Sequence, residues 1–89
     1  MGVMPWNPMH ALDQMGDEWF MRDRGRKVAI IRQVHIERPN GVLWRSVTWE
    51  DDPSRRALIG YFPTIQMAAA VTWRTWVQRE RPVEQRANL

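Results

Sequence analysis

The residues best suited to chemistry in this chain are few and scattered. Its two histidines, His10 and His35, lie in different segments, and neither belongs to an HxxxH or Hx(3–5)H pair that would aim two imidazoles at one zinc ion. Cysteine is absent, which removes thiolate metal sites, cysteine nucleophiles and a disulfide framework together. Glu50-Asp51-Asp52 has the charge to hold a hard cation, but adjacent carboxylates running into Pro53 and Ser54 read as a solvated turn. No GxGxxG, GxxxxGK[ST] or GxSxG motif occurs. His35 sits among apolar residues on a predicted strand and reads as a packed or edge residue rather than a general base. With no nucleophile, base and orienting group in a recognisable pattern, the chain is predicted to be non-enzymatic, without cofactor or metal.

Charge points elsewhere. Thirteen basic residues against ten acidic ones give a net charge of +3. Twelve of the thirteen are arginine, and Lys27 is the single lysine. Arginine offers a planar fork of donors that fits phosphate oxygens and guanine edges, although a GC-rich coding sequence produces the same bias. The charge permits nucleic-acid binding without requiring it. No apolar run approaches the ~20 residues of a membrane span. The first residues lack the basic start and continuous apolar stretch of a secretory signal, so a cytoplasmic protein is expected, nucleoid-associated if it binds DNA.

The elements that must position these residues come next. Eighty-nine residues make at most one domain. Six tryptophans, each able to bury on the order of 200 Å², supply much of its core. In residues 1–26, Asn7-Pro8 resembles an N-cap with a first-turn proline, and Met9, Leu12, Met15 and Trp19 recur at helical spacing. That favours a short helix or irregular arm; the competing reading makes Trp19–Arg22 a strand that turns through Asp23-Arg24-Gly25-Arg26. Residues 28–36 are β-branched and predict a strand whose buried side carries Val28, Ile30, Val34 and Ile36. Arg38-Pro39-Asn40-Gly41 is a turn, 42–49 a second strand, the acidic loop follows, and 56–62 is a third strand. Thr64 is the expected N-cap of a helix over 64–79, in which Ile65, Ala68, Ala69, Thr72 and Trp76 form the buried stripe. Arg81-Pro82 ends it, and 83–89 reads as a frayed tail. The expectation is therefore an α+β domain over 27–80: a three-stranded antiparallel sheet packed against one C-terminal helix, with an N-terminal arm or short helix before it and a flexible tail at 81–89.

Taken together, Arg38-Pro39-x-Gly41, Arg56, Gly60-x-Phe62-x-Thr64, Ala68-Ala69 and Arg74 resemble the DNA-binding domain of the Apetala/ethylene-response-factor family, which has relatives in phage and bacterial homing endonucleases. The arm-site DNA-binding domains of phage integrases share that plan. The stretch Gly60-Tyr61-Phe62-Pro63-Thr64-Ile65-Gln66-Met67-Ala68-Ala69 carries the family's GxFxTxxxAA signature, and the match runs from about residue 33 to 76. The resemblance implies a bacterial or phage protein that inserts the exposed face of its sheet into the major groove of double-stranded DNA. Arg38 and Arg56 fall on family arginines that contact DNA, Asn40 on a contacting tryptophan, and Ser46 and Thr48 where a charged pair is expected. Arg32 and Arg45 add charge nearby. Trp44 and Trp49 have opposite parity on one strand, so one is core and the other is exposed beside arginines. The expected DNA-contacting set is Arg32, Arg38, Asn40, Trp44, Ser46, Thr48 and Arg56. Departures weigh against it: Ile36 replaces a family arginine, Leu58 a family tryptophan, and His35 a core valine. A larger apolar share on the free face would instead suit a protein partner or a homodimer.

Overall fold

The computed structural model describes residues 6–39 and 41–80. Five antiparallel strands run in sequence order as a meander: β1 (Leu12–Met15), β2 (Glu18–Asp23), β3 (Arg26–His35), β4 (Val42–Thr48) and β5 (Leu58–Phe62), followed by α1 (Ile65–Glu80). The expected sheet of three strands is thus corrected to five. The N-terminal arm or helix is corrected too: Pro8–Ala11 forms only a 3₁₀ turn capped by Asn7, and the chain then enters β1 and β2. The helical spacing of Met9, Leu12, Met15 and Trp19 was overridden by turn chemistry. Met15 pairs with Glu18 across a two-residue loop in which Gly16 has φ 65°, a hairpin conformation rather than a helical one. Asp23 pairs with Arg26 across Arg24 and Gly25, whose φ values of 56° and 79° are those of a type I′ turn. Asn40 and the 81–89 tail lie outside the described residues.

Two β-bulges decide which side chains face which way. Met21 pairs with Ala29 and Arg22 with Lys27, so Val28 is an extra residue on β3. Ser46 pairs with Gly60 and Val47 with Leu58, so Ile59 is an extra residue on β5. A bulge turns two consecutive side chains toward one side and reverses the alternation beyond it. Val28 and Ala29 accordingly both join the core under the helix, with Ile59 packed against it. Lys27 is turned to the opposite face, where its ammonium lies over the Phe20 ring.

The helix covers one face. Met21, Ala29 and Ile31 from the sheet meet Ala68 and Ala69 of α1, all buried, with Trp19, Trp44 and Phe62 at the periphery. The two alanines have no side chain beyond Cβ, so the helix axis approaches the sheet closely. Thr64 Oγ1 accepts from the Met67 amide at 3.1 Å and caps the helix as its position predicts. Thr72, buried on the same stripe, shares a 2.6 Å hydrogen bond with the buried hydroxyl of Ser46. Trp73 covers the flank, its ring 4.8 Å from that of Trp6. The expected single buried side of β3 is corrected by this arrangement: Ile31 faces the helix, whereas Ile30 is buried on the opposite face with Phe20 and Val47. Both faces bury apolar groups, so alternation alone could not separate them. Among the described residues no helix is long and apolar enough to cross a membrane.

Candidate nucleic-acid interface

The face away from the helix is built from cross-strand rows. Phe20, Ile30, Val47 and Leu58 are successive partners across β2 to β5, and Glu18, Arg32, Arg45 and Tyr61 form the adjacent row. Phe20, Ile30 and Val47 are only 8%, 6% and 8% exposed, although no helix lies over them. Long side chains from neighbouring positions provide the cover, apolar stems inward and charged ends in solvent.

Trp49 organises one end of this cover. Its ring meets Phe20 edge-on, with centroids 5.9 Å apart. The Lys27 ammonium lies 4.6 Å from its centroid and the Arg56 guanidinium 4.3 Å, so a cation from β3 and one from the loop before β5 are held against one indole. Arg56 Nε also donates to the Glu50 carbonyl at 2.9 Å, which fixes that guanidinium. At the other end Arg32 pairs with Glu18 at 3.1 Å. Arg22 Nε lies 2.7 Å from Asp13 Oδ2, but its N–H is not directed at that oxygen, so the contact is electrostatic rather than a hydrogen bond. Arg45 has no ion-pair or hydrogen-bond partner among the described residues. A shallow depression of about 160 Å³ opens between Arg32, Arg45, Arg56 and Glu18 above Ile30 and Val47. The strands place Arg22, Lys27, Arg32 and Arg45 on this face, joined by Arg56, against the carboxylates Asp13 and Glu18. Such a surface attracts polyanions.

The acidic loop behind it is a structured turn. Asp52 Oδ1 accepts from the Ser54 amide at 3.0 Å and the Ser54 hydroxyl at 2.8 Å, capping the 3₁₀ turn Pro53–Arg55. The hydroxyl bond and then the amide bond from Ser54 hold the Asp52 carboxyl below its ordinary pKa, outweighing an opposing effect of desolvation, with the charge of Arg56 the least of the contributions.

The seven residues expected from the sequence do not come together. Arg32 and Arg56 share the open face. Arg38 lies at the tip of the β3–β4 hairpin, and Asn40 is outside the described residues. Trp44, Ser46 and Thr48 point to the helix-covered side, where Ser46 is fully buried and bonded to Thr72. Trp49, not Trp44, is the tryptophan of the open face. Sequence reading missed Lys27 because its side depends on the bulge at Val28; it named Arg45 as added charge, and the parity that Trp49 shares with Arg45 and Val47 is the signal that could have chosen it over Trp44. Compared with known proteins, the chain matches no family model, no curated protein and no solved structure.

Proposed function

We propose that this protein binds double-stranded DNA with the open face of its sheet, as a small regulator, recombination accessory or architectural factor. The observation that carries the reading is the cover at the centre of that face: Phe20, Ile30 and Val47 are buried there among arginine and lysine side chains rather than left bare for a partner. The dimensions refine the docking. Five strands spaced about 4.8 Å apart span about 19 Å, whereas the major groove is about 12 Å wide and admits a two-stranded ribbon. The whole sheet is too broad to enter. The β3–β4 hairpin is not: Val34 pairs with Leu43 and His35 with Val42, beyond the rows shared with the neighbouring strands. In the proposed complex this ribbon, with Arg38 at its tip, enters the groove while Lys27, Arg32, Arg45 and Arg56 lie against flanking phosphates. Base readout and phosphate positioning are thereby divided between tip and face.

Fluorescence anisotropy with a labelled mixed-sequence duplex at low salt tests this. Arg32→Glu combined with Arg45→Glu is expected to abolish binding, because each reversal turns an attraction into a repulsion. Arg74→Glu, on the exposed side of α1, is expected to weaken it only slightly. Equal loss from both would mean that binding follows net charge and not this face.

A second reading rests on β5. Leu58 and Tyr61 are 55% and 50% exposed on the open face, beside the unpaired edge of the sheet. That combination favours a protein strand or a second copy of the chain. Dimerisation abolished by Leu58→Glu, with no DNA binding by the parent protein, would favour it.

A further inference from the structure

A cleft of about 830 Å³ separates the bulged end of the sheet from the last turns of α1. The two bulged segments contribute to it: Val28, Ala29 and Ile59 are among its lining residues. The volume falls in the ordinary range of small-molecule sites.

The walls are of two kinds. On the helix side stands Trp76, its Nε1 donating to Asp23 Oδ2 at 2.7 Å and Arg26 lying 5.7 Å from its ring centroid. The Asp23 bond holds that indole in place in the cleft wall. Around the rim stand cations. Arg26 is committed to Trp76, but Arg55 and Arg79 are exposed and have no side-chain hydrogen bond or ion pair among the described residues. Two unpaired guanidiniums at the mouth of a cavity are phosphate-binding groups by geometry and charge. The Thr75 hydroxyl and the Glu50 and Asp51 carboxylates on the same lining are acceptors for a polyol.

We propose that this cleft binds a small aromatic phosphate of the mononucleotide class. The planar ring lies along Trp76, the phosphate is bound by Arg55 and Arg79, and the sugar hydroxyls donate to Glu50 or Asp51. This goes beyond the DNA reading: Arg22, Lys27 and Trp49 border both surfaces, but Arg55, Arg79 and Trp76 belong to the cleft, and neither Arg32 nor Arg45 lines it.

Calorimetric titration of the intact protein with adenosine monophosphate, followed in parallel by the indole N–H resonances in ¹⁵N–¹H spectra, tests the site. Saturable binding at one site with a shift of the Trp76 indole resonance, assigned by Trp76→Phe, is expected. Adenosine and inorganic phosphate added separately are expected to bind at least about tenfold more weakly, because each makes only part of the contacts. Arg55→Ala with Arg79→Ala should weaken binding by about tenfold or more. Both side chains are exposed, so circular dichroism should remain unchanged. The Arg32→Glu/Arg45→Glu protein should bind as the parent does, which separates this site from the DNA face. No saturation by about 10 mM, phosphate binding as tightly as the nucleotide, or unaltered affinity in the Arg55/Arg79 double variant would overturn the proposal.

Discussion

Ser46 and Thr72 join sheet to helix through one buried hydroxyl pair, 2.6 Å apart, in an otherwise apolar layer. Removing one member leaves the other desolvated and unsatisfied, so Ser46→Ala is expected to destabilise the fold by about 1–3 kcal/mol. Ser46→Ala with Thr72→Val removes both polar groups, and the double variant should recover much of that loss. Urea denaturation of the three variants measures the coupling; additive losses would mean that the hydroxyls do not act on each other. Asp52 makes a different prediction. Its carboxyl is held below its ordinary pKa, so its contribution to stability is present above the ordinary aspartate range and lost as pH falls through the lowered value. The urea midpoints of the parent and Asp52→Ala should therefore differ at neutral pH and converge at strongly acid pH. A difference that grows on acidification would contradict the assigned capping role. These contacts also mark how far single residues could be read. Thr64 as a cap and Asp52 in a turn are local signals carried by two or three neighbours. The Ser46–Thr72 pair joins residues 26 positions apart and has no local signature.

The helix and the three strands after residue 26 were legible because their signals are dense: a capped start, an Ala68-Ala69 stripe, β-branched runs and an Asn-Gly turn. The two N-terminal strands were not. The helical spacing of Met9, Leu12, Met15 and Trp19 runs through Gly16, whose positive φ makes a hairpin turn, and β1 is only four residues long. Register was hidden for a more general reason. Each bulge adds one residue to one strand, and only the partner strand reveals it. Helix packing is the element most open to a direct test. Ala69 is fully buried between α1 and the sheet, so Ala69→Trp should cost at least about 1–3 kcal/mol through overpacking. Thermal denaturation followed by circular dichroism would show it, and an unchanged midpoint would contradict close packing through this stripe.

At the scale of the molecule, one side of the sheet is closed by the helix and the other by its own long side chains. The arginine-rich composition permitted a polyanion-binding surface without locating one. Arg32, Arg45 and Arg56 were named from the sequence and lie on the open face; the side of Lys27 depended on a bulge and that of Trp49 on register, and Trp44, Ser46 and Thr48 were assigned to a side that the helix covers. Phosphate contact by this open face is the central claim, and the salt dependence of duplex binding tests it most directly. If three or four of its cations displace counterions, log K should fall with log[salt] at a slope of about −3 to −4. Arg32→Gln with Arg45→Gln should reduce that slope by about one to two units while leaving the fold intact, since glutamine removes the charge and keeps part of the stem that covers Ile30 and Val47. Anisotropy titrations at several salt concentrations give both quantities. A parent protein that is folded yet binds no duplex at low salt, or a slope that the double variant leaves unchanged, would contradict the account.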